Sequence, residues 1–280
     1  LLQGHVLHAD ETPVAQLDPG SGKTQRAYLW AYRSNDFELG PRIIVFDYQT
    51  SRSGKHVQNF LNKWQGHLLV DDYSGYKALF SKTASPCTEL GCWAHARRKF
   101  FDLHQANAST IAFEALQRIG KLYAVEAEGK HSSTEARQIL RAEKSLPILQ
   151  SLHDWLLQTR FHTADGGGTA KAIDYTLKRW QSLIRYASSG YLPIDNNPVE
   201  NTIRPIALGK KNWLFTGSER AGKRAAAIQT LLGTAKLNGL NPAQWLVNTL
   251  EKLPTWPNSR IDELLPFAPG AIEALLKECG

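Results

Sequence analysis

Three carboxylates, Asp10, Asp71 and Glu200, could together hold divalent metal ions. Asp10 and Asp71 each end a short apolar run with the character of a strand, and strand ends in open α/β sheets often line an active crevice. Cleaving or joining a phosphodiester requires charge compensation, which two Mg²⁺ ions (or Mn²⁺ in their place) supply, and Mg²⁺ prefers carboxylate oxygens. A single acid is more often a helix cap or a solvated charge, so the hypothesis rests on the three taken together.

The third carboxylate lies in the segment Asp195-Asn-Asn-Pro-Val-Glu200. Asn197 is a good helix cap and Pro198 suits the first helical position, which predicts Glu200 in the first turn of a helix. Arg204 then lies one turn further along the same face.

A cysteine and a histidine, Cys92 and His95, form a C-x-x-H pair that could bind zinc, with Cys87 as a third ligand. Structural zinc requires four ligands in two pairs, and the sequence has no second pair. We therefore favour a structural role beside the active site, in which His95 could touch a phosphate.

Basic residues follow two of these motifs and could contact DNA. They are Arg97, Arg98, Lys99, Arg204, Lys210, Lys211, Arg220, Lys223 and Arg224. Basic groups interleaved with aromatics suit a DNA backbone and unstacked bases, although a solvated basic face is the common alternative. We expect the chain between Glu200 and Lys210 to turn back across the active face, and residues 213–215 to belong to the core.

The first hundred residues have the pattern of strands with intervening turns and helices. The predicted strands are 4–10, 26–33, 42–48, 67–71 and 88–93, with a hairpin turn at 18–24 and helices at 55–64 and from Ser74. This order predicts an α/β fold with a mixed sheet.

The remainder of the chain is predominantly helical in pattern. Segments 110–128, 133–160 and 169–187 have helical apolar spacing, and so does the tail 220–253, which Asn238-Gly239 interrupts. We predict a core at 1–100, an all-helical insertion at 101–190, a second core part at 191–235 and a helical C-terminal region at 236–280.

Composition favours an anionic partner and a reducing compartment. The formal net charge is +7 and the pI is about 9.3. Three cysteines, Cys87, Cys92 and Cys279, do not make a disulfide framework, so we expect a cytosolic protein. No signal peptide or membrane span is visible, and the absence of Met suggests a fragment.

Five motifs occur in order along the chain. They are His8-Ala-Asp-Glu-Thr-Pro13, Leu69-Val-Asp-Asp-Tyr-Ser-Gly-Tyr76, Cys92-Trp-Ala-His-Ala-Arg-Arg-Lys-Phe100, Asp195-Asn-Asn-Pro-Val-Glu200 and Leu208-Gly-Lys-Lys-Asn-Trp-Leu-Phe215. Together they resemble the insertion-sequence sixty-six family of bacterial transposases over nearly the whole chain.

This resemblance implies a DDE transposase with a ribonuclease-H-like fold and a helical insertion between the second Asp and the Glu. By position, the catalytic and metal-binding residues are Asp10, Asp71 and Glu200. Asp72 follows directly and remains the alternative to Asp71. Neighbouring side chains on a strand point to opposite faces, so only one of the two acids can face Asp10. The implied partners are double-stranded DNA, at transposon ends and target, and further copies in a homodimer or higher assembly in the bacterial cytosol.

Other functions remain open at this point. A structure-specific nuclease or resolvase could use the same fold, and a transposase-derived regulator could bind DNA without catalysis. The regulator predicts loss of at least one acid, and none is lost. A small-molecule enzyme is disfavoured because Gly20-Ser-Gly-Lys-Thr24 lacks the preceding glycine of a phosphate-binding loop.

Overall fold

A computed structural model of the chain describes residues 1–38, 40–81 and 87–267. The strands of these residues are β1 (Val6–Asp18), β2 (Lys23–Ser34), β3 (Ile44–Gln49), β4 (Gly66–Val70) and β5 (Cys87–Gly91). The helices are α1 (Gly54–Leu61), α2 (Lys77–Phe80), α3 (Trp93–Asn107), α4 (Thr110–Glu128), α5 (Thr134–Leu140), α6 (Leu146–Phe161), α7 (Gly168–Lys178), α8 (Trp180–Ile184), α9 (Asn197–Trp213), α10 (Glu219–Leu237) and α11 (Pro242–Lys252). Antiparallel and parallel strand pairs both occur, which confirms the mixed α/β class. Cys279 and the end of the predicted C-terminal region lie outside the described residues.

The chain divides into two compact units. The first comprises Leu1–Trp64 with Pro198–Gly280, and the second comprises Gln65–Asn197. These bounds differ from those of the four segments predicted from the sequence, which remain a prediction.

The first unit contains three antiparallel strands in the order β3-β2-β1. The turn between β1 and β2 is the predicted hairpin, and its glycines Gly20 and Gly22 have φ angles of 87° and 66° that favour glycine. Lys23 and Thr24 then begin β2. A phosphate-binding loop opens a helix instead, so its exclusion agrees with the fold.

One face of these strands carries the core of the first unit. Its strand residues are Val14, Ala27, Leu29, Ala31, Ile44, Phe46 and Tyr48, and its helix residues are Val199, Ile203, Ile206 and Ala226. Helices α9 and α10 therefore cover the same face of the sheet.

Helix α10 also satisfies the outer backbone groups of β3. The Thr230 hydroxyl accepts a 2.8 Å hydrogen bond from the Phe46 amide, and the Thr234 hydroxyl donates to the Ile44 carbonyl at 3.1 Å. Four residues on, the Asn238 side chain donates to the Arg42 carbonyl at 2.8 Å. Residues spaced by four share one helix face, so a polar stripe of α10 runs along this strand.

The second unit contains the parallel pair β4 and β5 together with the predominantly helical middle of the chain. The helix predicted from Ser74 forms as a 3₁₀ turn, Ser74–Tyr76, followed by the short α2. Trp93, at the start of α3, is buried, and its indole donates to the Leu183 carbonyl at 2.8 Å.

Arg141 is a buried cation that connects three parts of the second unit. It begins a π-helical segment, Arg141–Ser145, between α5 and α6. Its guanidinium donates to both carboxylate oxygens of Glu126, at 2.8 and 2.6 Å, and to the carbonyls of Tyr186 and Leu192, at 2.9 and 2.8 Å. A buried charge is tolerated when it is paired and its remaining donors are satisfied, as here.

Among the described residues, no helix has the length and apolarity needed to cross a bilayer.

Candidate active site

Asp10 lies inside β1, and the prediction that it ends a strand was wrong. The strand continues to Asp18, and Asp10 pairs with Ala31 of β2. The second half of β1 does alternate, with Thr12, Val14 and Gln16 buried. Pro13 concealed this pattern, because proline is depleted in strands.

The side chain of Asp10 lies on the core face of the first unit. Side chains two apart on a strand share a face, so Asp10 is on the side of Val14, a member of the core cluster. Its cross-strand partner Ala31 belongs to the same cluster. The Asp10 Oδ1 atom accepts a 2.8 Å hydrogen bond from the Glu11 amide.

Glu200 lies in the first turn of α9, as predicted. It follows Val199 directly, and Val199 is buried in the core cluster that contains Ala31. The first unit therefore carries Asp10 on the sheet face that is covered by the helix bearing Glu200.

The loop that leads into α9 is fixed through Asp195. Its carboxylate accepts hydrogen bonds from the Tyr123 hydroxyl, at 2.9 Å, and from the Asn197 amide, at 3.0 Å. Burial, together with the charge of Asp195, raises the pKa of Tyr123 far above its ordinary value, so the hydroxyl stays protonated and donates. These bonds fix the backbone at the point where α9 begins.

The C-x-x-H pair contributes to the same loop. The Sγ atom of Cys92 accepts a 3.2 Å hydrogen bond from the Asn196 amide, and the Trp93 amide donates to the Ile194 carbonyl at 3.1 Å. Cys92 therefore helps to position this loop. His95 lies one turn into α3 and is half-buried.

Asp71 directly follows β4, so the prediction of a strand that ends at this acid is confirmed. Its Oδ1 atom accepts a 2.9 Å hydrogen bond from the Tyr73 amide. This bond engages one oxygen of the carboxylate and fixes the rotation of the side chain.

Asp72 forms an ion pair with Arg179. The two side chains approach to 2.5 Å, and the same guanidinium donates to Glu89 at 2.7 Å. Burial acts to lower the pKa of Arg179, but the negative carboxylates of Glu89 and Asp72 act in the opposite direction, and the net shift is upward. The guanidinium therefore stays charged, and Asp72 is held as its partner.

Sequence reasoning did not find Arg179. It lies at the end of α7, more than a hundred residues after Asp72, and no local motif surrounds it. The pairing depends on how β4, β5 and α7 pack, which no spacing along the chain encodes.

Three predicted DNA contacts, Arg97, Arg98 and Lys99, are exposed on α3. The Arg97 guanidinium lies 5.9 Å from the centre of the Phe101 ring, and the Lys99 ammonium lies 5.4 Å from that of Tyr175. Cations over aromatic faces are stabilised by the ring quadrupole.

The segment after Glu200 does not turn back, contrary to the prediction. Helix α9 continues through Pro205 to Trp213, with Arg204 exposed. Lys210 nevertheless reaches β1, where its Nζ donates to the Pro13 carbonyl at 2.9 Å. Lys211 is exposed.

The prediction that residues 213–215 are core was also wrong. Trp213, Leu214 and Phe215 are all exposed. Leu214 has a φ of 61°, a left-handed conformation that ends α9. The chain then joins β1 through Thr216, whose amide donates to the Ala15 carbonyl at 2.8 Å.

The last predicted basic cluster lies on α10. Arg220, Lys223 and Arg224 are exposed in its first two turns. Lys223 pairs with Glu219 at 2.6 Å, and this contact raises the pKa of the lysine. Arg220 and Arg224 are one turn apart and share a helix face.

Two family models match the chain. Residues 1–224 match the model described as "Transposase IS66 family", and residues 230–267 match the "IS66 C-terminal element".

Three similar proteins come from Sinorhizobium fredii (strain NBRC 101917 / NGR234), and each is described as uncharacterized. The protein y4qI is 39% identical over 281 residues, which cover 96% of this chain and 52% of that protein. The protein y4hP is 34% identical and y4jD is 33% identical, with 95% and 93% of this chain covered. The chain spans about half the length of these relatives, 52% or 53% in each case. From the two family models, which together cover most of its residues, the chain belongs to the IS66 family of transposases.

Proposed function

We propose that this chain is the catalytic core of a transposase that cleaves and joins double-stranded DNA, with a ribonuclease-H-like fold. Its ligands for divalent metal ions are Asp10, Asp71 and Glu200. The observation that carries the proposal is in the first unit, where Asp10 lies on the sheet face that α9, the helix bearing Glu200, covers. Membership of the IS66 family supports it.

The chemistry of the donor set fits Mg²⁺ or Mn²⁺. All three side chains offer carboxylate oxygens, the hard ligands that these ions prefer. Two such ions, held by these side chains, would compensate the charge on the attacking and leaving oxygens of a phosphodiester.

The surroundings of the second acid support Asp71 over Asp72 as the ligand. Asp72 pairs with the permanent charge of Arg179, whereas Asp71 is oriented by one backbone amide through Oδ1. A carboxylate already neutralised by a buried guanidinium gains less from a metal ion than one that is not.

DNA is the partner that the basic residues suit. Phosphates of the transposon end would lie on Lys210, Lys211 and Arg204, and Arg97, Arg98 and Lys99 would extend the contact along α3. Arg220, Lys223 and Arg224 offer a further basic surface on α10. We propose that the enzyme acts on DNA as a homodimer or larger assembly.

Cleavage and metal binding together test the proposal. The variants are Asp10→Asn, Asp71→Asn and Glu200→Gln, assayed on transposon-end DNA with Mg²⁺ or Mn²⁺ and with a chelator. Each variant should lose at least about a hundredfold in cleavage rate, the scale set by removing one group that stabilises developing charge. Thermal unfolding should change little, because the three carboxylates lie outside the apolar core cluster.

Mn²⁺ binding, measured by electron paramagnetic resonance, gives a second readout that does not depend on turnover. Wild type should bind Mn²⁺ and each variant should bind it more weakly. If any of the three variants cleaves DNA at the wild-type rate, or if all of them bind Mn²⁺ as tightly as wild type does, the assignment of these three ligands is wrong.

A further inference from the structure

A groove between α3 and α4, in the second unit, has no role in the proposed chemistry. Its volume is about 510 Å³, and its lining includes Arg97, Phe101, His104, Phe113, Gly120 and Lys121. Grooves of a few hundred cubic ångströms accommodate small planar ligands. We refer to it as the α3–α4 groove.

Two large aromatic side chains are exposed in this groove. Phe101 is 41% exposed and Phe113 is 51% exposed. The helices bury other apolar residues, Phe100 of α3 and Ala112, Ala115 and Ile119 of α4. Phe101 and Phe113 are not buried in this way, and part of each ring is accessible for stacking.

The third ring is held in a fixed orientation. His104 lies 5.6 Å from Phe113 between ring centres, with the planes tilted by 40°. Its Nδ1 atom is 3.1 Å from the Ser109 carbonyl. Because a carbonyl can only accept, Nδ1 carries the proton and this bond fixes the ring.

The charge of the groove is positive. Arg97 and Lys121 are permanent cations, and the described lining residues include no carboxylate. The Arg97 guanidinium lies over Phe101. Aromatic faces beside cations are the combination that binds single-stranded nucleic acid, in which bases stack and phosphates pair with the cations.

Gly120 leaves the groove open at the middle of α4. A Cβ atom added there would meet nothing within 4 Å, so packing does not require glycine at this position. Glycine lowers the stability of a helix interior relative to alanine. Glycine at position 120 therefore lowers the stability of α4, at a position where a larger side chain would occupy the groove.

We propose that the α3–α4 groove binds an unpaired nucleobase of single-stranded DNA. Phe101 and Phe113 stack with the base, and Arg97 and Lys121 hold the flanking phosphates. This site deepens the proposed function and rests on its DNA partner, but not on its metal chemistry. A duplex keeps its bases stacked, so the groove binds open or frayed strands in preference to paired DNA.

Gly120→Leu is the variant that tests the groove, with Gly120→Ala as its matched control. The probe is a short fluorescent oligodeoxythymidine, and its affinity is measured by anisotropy at fixed salt. Leu should weaken binding about tenfold, the scale of losing one stacked base. Ala should bind like wild type and should raise the melting temperature. Phe113→Ala should weaken binding to a similar degree, because it removes one stacking surface without adding volume.

Two further measurements separate this proposal from the others. A duplex of the same length, with no unpaired base, should bind wild type and Gly120→Leu equally. Oligodeoxythymidine substituted with 5-iodouracil should photocrosslink to the α3 or α4 segment of wild type, and Gly120→Leu should reduce the yield. If wild type does not bind the single strand, or if wild type and Gly120→Leu bind it equally, the proposal that the α3–α4 groove binds a nucleobase is wrong.

The outcome for the groove is distinguishable from the outcome for the metal site. If Gly120→Leu weakens single-strand binding but the three carboxylates are dispensable for cleavage, the groove proposal stands and the metal-site proposal fails. If cleavage depends on the carboxylates but Gly120→Leu does not change single-strand binding, the metal-site proposal stands and the groove proposal fails.

Discussion

The guanidinium of Arg179 donates a 2.5 Å hydrogen bond to the carboxylate of Asp72, whereas at the neighbouring Asp71 it reaches only the backbone carbonyl, at 3.4 Å, and the Asp71 carboxylate accepts from the Tyr73 amide. Adjacent acids that are equivalent in the sequence are therefore different in the fold. One is the partner of a buried cation, and the other keeps a carboxylate oxygen that this bond does not use.

The two acids should respond differently to the same substitution. Asp71→Asn should lower metal-dependent cleavage by at least about a hundredfold with little effect on stability. Asp72→Asn should keep most of the activity but cost about 1.5–3 kcal/mol of unfolding free energy, the range for a hydrogen bond to a charged group. Cleavage rates and urea unfolding of the two variants check this.

A control for Asp72→Asn is available on α2. Lys77 lies 3.5 Å from Asp72 and is more than half exposed. Lys77→Ala should therefore change stability by less than about 1 kcal/mol. If Asp72→Asn is the variant that abolishes cleavage, the assignment of Asp71 as the ligand is incorrect.

Lys210 and Lys211 should bind phosphates and not base edges. The ammonium of Lys210 donates to the Pro13 carbonyl at 2.9 Å and to the Thr12 hydroxyl at 3.5 Å, and an ammonium has three donors. Replacing both lysines with Ala should lower the salt slope of log affinity by about two units, one per lost contact. The loss should be similar on end DNA and on random duplex, as measured by binding titrations at several salt concentrations.

Lys252→Ala is the matched control, because Lys252 is exposed at the end of α11 and has no proposed contact with DNA. Its salt slope should equal that of wild type. An unchanged slope in the double variant would mean that the two lysines form a solvated face, and a loss confined to end DNA would mean that they recognise sequence.

Arg141→Met should destabilise the second unit strongly. It removes a fully buried guanidinium and leaves Glu126 and several carbonyls without their donor. Breaking a buried pair in this way costs about 3–5 kcal/mol. Urea unfolding measures the loss, and Glu126→Gln, which retains an acceptor, should give a smaller one.

The exposed ion pair between Lys144 and Glu128 provides the comparison. The two side chains are 47% and 52% exposed, so Lys144→Ala should change the free energy of unfolding by less than about 1 kcal/mol. Equal effects of Arg141→Met and Lys144→Ala would show that burial does not govern the strength of these contacts.

Local patterns predicted the helices well where apolar spacing was regular. Helix α4 occupies the predicted residues, Thr110–Glu128, because its buried positions recur at helical intervals and Ser109 caps its start. The hairpin turn followed from its glycines, and the break between α10 and α11 followed from Asn238-Gly239.

The errors arose where packing outweighs local preference. Proline in the middle of α9 suggested a turn, yet the helix continues because Val199, Ile203 and Ile206 bury one face on the sheet. Exposure of Trp213 and Phe215 has no local signal, since apolar residues are ordinarily placed in the core. No local signal indicated that Asp72 pairs with the distant Arg179.

The polar stripe of α10 along β3 limits how copies of this chain can associate. Unpaired amides and carbonyls on an edge strand are a template for strand addition by another chain. Thr230, Thr234 and Asn238 already occupy these groups at the β3 edge. A second copy, or a peptide in extended form, cannot extend the sheet there without displacing a helix. Any assembly must therefore form at other surfaces and not by backbone pairing at β3.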